Sequence, residues 1–125
     1  MEIKWFNEKK QKGTATFYES NLTLNAVAKI PFEKCEHVRV GVDSSGSLLL
    51  KPISFDDYNK GLIPKEECYP IVTHSSYARI SSTSLLSQIA NAFNLQFSKE
   101  PTRFETIYEE KEGILIIPLN KERSK

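Results

Sequence analysis

Residues 38–53, VRVGVDSSGSLLLKPI, give the most direct prediction of local structure. Val38, Val40 and Val42 alternate with other residues, as they do in a strand with one buried face. The letters DSSG that follow are typical of a turn, in which Gly46 can adopt a positive φ at little cost. A second apolar run then leads back, so the stretch predicts a β-hairpin.

This hairpin closes a longer unit whose order of elements occurs twice in the chain. Residues 21–53 and residues 77–119 each begin with a short strand, continue through a polar cap into a helical segment and end in a hairpin. In the second copy residues 102–109 lead out, Gly113 ends the turn and the letters ILII lead back. The two copies predict an internal pseudo-repeat, and chance similarity between common hairpins is the alternative.

We therefore predict an α+β fold in which two degenerate strand–helix–β-hairpin units form one β-rich core with one main amphipathic helix. Residues 1–125 are expected to form a single domain, with residues 54–76 as a polar linker between the copies. Residues 14–18 and 69–73 each predict a further strand. The expected core residues are Phe17, Val40, Leu49, Leu85, Ile89, Phe93, Ile114 and Ile116.

The helical segments of the two copies differ. Residues 82–94 place their apolar side chains on one helical face, with Ser81 as the expected N-cap. In the first copy Asn25 is the expected cap, but Pro31 follows after only six residues. Because proline removes a helical hydrogen bond, we expect a short turn there or a restart at Phe32.

The order strand, short helix, hairpin in residues 21–53 resembles the swapped-hairpin module of AbrB-type transcription factors. Two copies in one chain resemble the MraZ arrangement. The resemblance implies that two modules interleave their hairpins into one small barrel and that basic residues on one surface meet DNA. By position in the module, these residues would be Arg79 before the strand-to-helix turn, Lys29 on the first helical segment and Lys51 near the end of the hairpin.

The densest basic cluster consists of Lys9, Lys10 and Lys12. These side chains could anchor phosphate groups, as a protein that reads a duplex requires. The alternative for them is a solvated turn near the N-terminus, since exposure is the ordinary state of lysine. Surface cations paired with nearby carboxylates are likewise the alternative for Lys29, Lys51 and Arg79.

The letters KWFN at residues 4–7 are similar to the opening of a cold-shock domain. The next stretch, KGTATF, supplies one of two expected glycines and one of two expected aromatic residues. No second aromatic strand follows, although such a strand is needed to stack bases. We therefore expect Trp5 and Phe6 to pack an N-terminal segment onto the core instead.

The composition indicates a globular chain, with 39% hydrophobic and 26% charged residues. Its net charge of +1 is small for a protein that binds polyanions without specificity. No apolar run approaches the ~20 residues that span a bilayer, and the start has no secretory pattern, so we expect the protein in the cytoplasm. Cys35 and Cys68 are expected to be free thiols there.

The chain shows no pattern of catalytic residues, and we predict neither an enzyme nor a bound cofactor. Cys35 and His37 would share one face of an extended segment, but no third group orients them. Together with Cys68 and His74 they are numerous enough for zinc, yet their spacing matches no familiar ligand pattern, and we predict no metal site.

These features favour a small DNA-binding or transcription-regulatory protein of the swapped-hairpin type, with duplex DNA as its partner. The alternative is a non-enzymatic protein-interaction module that uses an exposed sheet edge or the helix at residues 82–94. The sequence leaves the oligomeric state open, a homodimer being one alternative.

Overall fold

The computed structural model describes residues 1–5 and 12–119 and confirms the predicted β-rich α+β fold. The described residues form ten strands in two antiparallel sheets, with one main helix. The strands are β1 (Thr14–Phe17), β2 (Asn21–Leu24), β3 (His37–Val42), β4 (Ser47–Ile53), β5 (Tyr69–Pro70), β6 (Val72–Thr73), β7 (Ala78–Ser81), β8 (Thr102–Glu105), β9 (Ile107–Glu109) and β10 (Ile114–Pro118). The α-helices are α1 (Phe55–Asn59) and α2 (Thr83–Phe93), and short 3-10 helices span Ile30–Phe32 and Lys65–Glu67.

The two sheets enclose one hydrophobic core between their inner faces. Sheet A has the strand order β6-β7-β2-β1-β8, and sheet B has the order β5-β3-β4-β10-β9. Phe17 and Leu22 of sheet A and Leu50 and Leu115 of sheet B all belong to this core. Because strand side chains alternate between faces, each sheet also presents an outer face, and the two outer faces point away from each other.

The chain passes from one sheet to the other at both edges. Ile71 separates β5 of sheet B from β6 of sheet A, and Thr106 separates β8 of sheet A from β9 of sheet B. The residues predicted as single strands, 69–73 and 102–109, are therefore each divided at a corner. Such corners join the two sheets into a flattened barrel, because the same chain segment supplies an edge strand to each.

Strand pairs also join the front and back parts of the chain. The pairs β1–β8, β2–β7, β3–β5 and β4–β10 each combine one strand from residues 14–53 with one from residues 69–118. The repeat itself stays a prediction. These pairings mean that neither part has a complete sheet of its own.

Polar side chains fix the local turns. Helix α2 begins after Ser82, whose Oγ accepts a hydrogen bond from Leu85 N at 3.1 Å, so the predicted cap at Ser81 is wrong by one residue. Asn25 caps the first helical turn as predicted, since its Oδ1 accepts from Ala28 N at 2.9 Å. Pro31 allows only a short 3-10 helix there, also as expected.

The core prediction is wrong for part of sheet B. Leu49, Ile114 and Ile116 lie on the outer face and are only half-buried, whereas Val40 is partly buried and packs against the core. The buried positions on β4 and β10 are the neighbouring residues Leu48, Leu50, Leu115 and Ile117. A continuous apolar run does not indicate which alternate residues face inward, so the sequence could not decide between the two sets. Phe17, Leu85 and Ile89 are buried as predicted, and Phe93 is partly buried.

The N-terminal aromatic residues do not behave as expected. Trp5 is 76% exposed, so its predicted packing onto the core is wrong, while Phe6 lies outside the described residues. None of the helices among residues 1–5 and 12–119 combines the length and the apolar composition needed to cross a membrane.

Candidate nucleic-acid interface

A row of four polar residues crosses the outer face of sheet A. Arg79 on β7 is the register partner of Thr23 on β2, which is the partner of Thr16 on β1, which in turn is the partner of Arg103 on β8. Residues directly opposite each other in antiparallel strands point to the same side. We call this row the arginine row; three strand spacings of about 4.8 Å separate its ends by roughly 14 Å.

The alternation of each strand explains why these residues face outward. Ala78 and Ile80 flank Arg79 and are buried, and Phe104 beside Arg103 is buried as well. The hydrophobic effect therefore fixes the orientation of each strand, and the arginines take the opposite face.

The arginine row lies in a shallow depression of about 470 Å³. The depression is lined by Thr14, Thr16, Thr23, Asn25, Ser76, Tyr77, Arg79 and Arg103. Asn25 fixes one side of it, because Asn25 Oδ1 accepts from Thr14 N at 3.1 Å and Asn25 Nδ2 donates to Lys12 O at 2.8 Å. Of the threonine hydroxyl groups in the row, Thr23 Oγ1 donates to Asn21 Oδ1 at 3.1 Å and keeps its capacity to accept, while Thr16 can donate or accept.

Aromatic rings support one end of the row. The guanidinium carbon of Arg79 lies 5.1 Å from the centre of the Tyr77 ring, within the range of a cation–π contact. Tyr77 also stacks with His74 at a ring separation of 4.5 Å. Arg79 is thus held against a ring while its donors stay accessible, and the two rings are occupied by each other and by the guanidinium.

The electrostatic balance of this face is positive. Neither Arg79 nor Arg103 forms an ion pair with any carboxylate that the structure describes. Glu105 follows Arg103 by two residues on β8, pairs in register with Thr14 and lies 3.6 Å from Lys12 Nζ. Because Lys12 offsets Glu105, the two arginines give the face its net charge.

The predicted basic residues are distributed over several surfaces. Arg79 lies in the arginine row, and Lys12 lies at its margin as the partner of Glu105. Lys51 is exposed on the outer face of sheet B, where it pairs in register with Arg39. Lys29 is 6% exposed and forms an ion pair with Glu33, four residues along the chain. Lys9 and Lys10 lie outside the described residues.

Sequence reasoning did not identify Arg103, Thr16, Thr23 or Tyr77. A signal was present in the letters ARIS and TRFE, where an arginine stands beside an apolar residue in two short strands. Only the pairing of β8 with β1, across more than eighty residues of chain, places the two arginines in one row.

The cysteine and histidine side chains considered as reactive groups each make separate local contacts. Cys35 Sγ donates to Phe32 O at 3.4 Å, and burial raises the pKa of this thiol, which disfavours the nucleophilic thiolate. His37 stacks with Tyr58 at 3.8 Å between ring centres. In the described part of the chain no three His, Cys, Asp or Glu side chains are grouped to hold a metal ion.

Compared with protein-family models, curated proteins and solved structures, the chain matches none of them.

Proposed function

We propose that this protein binds duplex DNA through the outer face of sheet A and acts as a small regulatory DNA-binding protein. The observation that carries the proposal is the arginine row, in which two guanidinium groups, unpaired with any carboxylate of residues 1–5 and 12–119, flank two hydroxyl side chains. Arginine and threonine are typical contacts to phosphate oxygens, because both donate hydrogen bonds and arginine also supplies charge.

The surroundings of the row favour contacts to the phosphate backbone over stacking of unpaired bases. Proteins that hold single strands present free aromatic faces to successive bases. Here Phe17, the aromatic residue of the cold-shock-like stretch, is fully buried against Phe97 and Phe104. Tyr77 and His74 are engaged with each other and with Arg79. A duplex, whose bases are already stacked, needs no such platform.

The resemblance to swapped-hairpin transcription factors adds a second line of support. In that family two modules interleave into one barrel, and here the strands of residues 14–53 pair with those of residues 69–118 in four places. The interleaving is in keeping with such a module, while the positively charged face would be on sheet A.

The test is binding of a labelled duplex by fluorescence anisotropy at several salt concentrations. Affinity should fall with salt, with a slope of about −0.9 in log K against log[salt] for each phosphate neutralised. Arg79→Ala and Arg103→Ala should each weaken binding about fivefold, or roughly 1 kcal/mol, and reduce the slope by about 1.

Lys60→Ala is the matched control. Lys60 is exposed and pairs with Asp56 at 2.9 Å, close to Tyr58, which stacks on sheet B. The Lys60→Ala substitution removes one positive charge at a distance from the arginine row, and it should leave the slope of log K against log[salt] unchanged. Equal losses in all three variants would show that only net charge matters, and no duplex binding at low salt would refute the proposal.

The protein-interaction alternative predicts a different result. A chain that holds a protein partner would show no salt-dependent duplex binding while a specific protein co-purifies with it. Helix α2 would then be the surface to test, because its exposed positions Ser84, Ser87, Gln88 and Asn91 are uncharged.

A further inference from the structure

The outer face of sheet B carries a row of apolar residues. Gly41 on β3 pairs with Leu49 on β4, Leu49 with Ile116 on β10, and Ile116 with Ile107 on β9, so all four share one face. Leu49 and Ile116 are half-buried and Ile107 is 52% exposed. We call this set the apolar row. Exposed apolar side chains grouped in this way indicate an interaction surface more often than isolated ones do.

The two ends of the apolar row differ in shape. At Gly41 a Cβ would meet no atom within 4 Å, so this end of the row is open. At the other end Ile107 projects a branched side chain into solvent. One end is therefore a gap and the other a projection, separated by three strand spacings.

The charges beside the apolar row are also unequal. Two residues along the strands from the row, Arg39 pairs with Lys51 on β3 and β4, while Glu109 pairs with Ile114 on β9 and β10. Glu67 offsets one of these two cations, so the end near Gly41 keeps one positive charge, and the end near Ile107 carries the Glu109 carboxylate. Arg39 also bonds Glu67 of its own chain at 2.9 Å, but a guanidinium has donors for a second carboxylate.

We propose that two copies of this chain associate through the outer face of sheet B, with a two-fold axis parallel to the strands. Stacked sheets lie about 10 Å apart, and such an axis reverses the strand order of the second copy. Strand β9 of one copy then lies over β3 of the other. Ile107 enters the gap at the other copy's Gly41, Leu49 packs on Ile116, and Glu109 faces Arg39.

A second copy fits this face better than an unrelated partner because the face is complementary to itself. One operation brings the projection to the gap and the negative end to the positive end. The homodimer is independent of the proposed DNA binding. Since the outer face of sheet A points away from sheet B, the dimer would leave both arginine rows accessible.

Gly41→Val tests the shape of the interface without disturbing the monomer. A Cβ added at Gly41 meets no atom within 4 Å, and valine suits a strand. It fills the gap that Ile107 would enter. By sedimentation velocity of the full chain, we expect the wild type to form a species of twice the 14.3 kDa chain mass. The variant should dissociate at concentrations at least about tenfold higher than those at which the wild type does, with an unchanged melting temperature at a concentration where both proteins are monomeric.

A charge exchange provides the second test. Glu109→Arg and Arg39→Glu should each weaken self-association, because each places like charges opposite each other in both contacts. An equimolar mixture of the two variants should restore the dimer, since both contacts then join opposite charges. A wild type that stays monomeric at millimolar concentration would overturn the proposal. So would a dimer that neither Gly41→Val nor the charge variants weaken.

Discussion

The outer faces of the two sheets have the same geometry but different chemistry. On sheet A the outward row reads Arg79, Thr23, Thr16 and Arg103, whereas on sheet B it reads Gly41, Leu49, Ile116 and Ile107. Both rows cross four strands and lie over the same core. A face of donors and charge suits a highly charged, hydrated ligand, and an apolar face suits a protein surface. Alternation of side chains along the strands is therefore enough for one barrel to present two unlike surfaces.

The largest expected effect separates the inner and outer faces of sheet B. Leu50→Ala removes a fully buried side chain and should lower the free energy of unfolding by about 2–5 kcal/mol. Leu49→Ala acts on a half-buried side chain, and we expect a loss of about 1 kcal/mol or less. Urea denaturation at a concentration where the chain is monomeric measures both. Equal losses would mean that the inward and outward residues of β4 are assigned incorrectly.

The next largest effect is expected at Asn25, which follows β2 and hydrogen-bonds the backbone at the start of β1. Asn25 Oδ1 accepts from both Thr14 N and Ala28 N, so Asn25→Ala leaves two backbone donors without their partner. We expect a loss of about 1–3 kcal/mol in the free energy of unfolding. Asn25→Asp keeps the acceptor and should cost less than the alanine variant. If alanine and aspartate were equivalent to wild type, the turn would be held by backbone contacts alone.

A smaller effect is expected where the chain leaves sheet A for helix α2. Ser82→Ala removes the N-cap and should lower stability by about 1 kcal/mol. Ser81→Ala is the matched control, because Ser81 is exposed at the end of β7 and caps nothing. Thermal denaturation of the two single variants compares them directly. If Ser81→Ala lowered the stability more than Ser82→Ala, Ser81 would be the N-cap, as the sequence predicted.

The smallest expected effect concerns the turn between β3 and β4 in sheet B, whose contribution to stability should depend on pH. Hydrogen bonds from the Ser45 side chain and from the Ser47 backbone lower the pKa of Asp43 below its ordinary value of 3.8. The folded state therefore favours the ionised form, and this contribution is complete above that value and is lost as the pH falls through the folded pKa. Asp43→Asn should show a flatter decline of stability below about pH 4 than wild type. If the stability of wild type and of Asp43→Asn declined equally below about pH 4, the ionised Asp43 carboxylate would not stabilise the turn.

Local patterns in the sequence predicted the first hairpin well, whereas helix α1 lies in the stretch predicted as a polar linker. The hairpin predicted at residues 38–53 corresponds to β3 and β4, which together begin one residue earlier and end at the same residue. The side of each strand was not predictable in the runs LLL and ILII, because every residue there is apolar. Adjacent serines likewise gave no means of choosing Ser82 over Ser81 as the cap.

The candidate site was predictable only in part. Arg79 was identified through the resemblance to swapped-hairpin proteins, and it lies in the arginine row. Arg103 was not identified, because residues 102–109 were expected to form one strand of a local hairpin. Its position depends on the corner at Thr106 and on pairing with β1, which are long-range features. A local pattern contains no information about such contacts.

A titration of the isotope-labelled protein with duplex DNA, followed by amide chemical shifts, shows which sheet contacts the DNA. We expect the largest changes at Thr16, Thr23, Arg79 and Arg103 on sheet A, with Gly41 and Leu49 on sheet B unaffected at constant protein concentration. Changes centred on the apolar row, or no changes at low salt, would contradict the assignment of DNA binding to the arginine row.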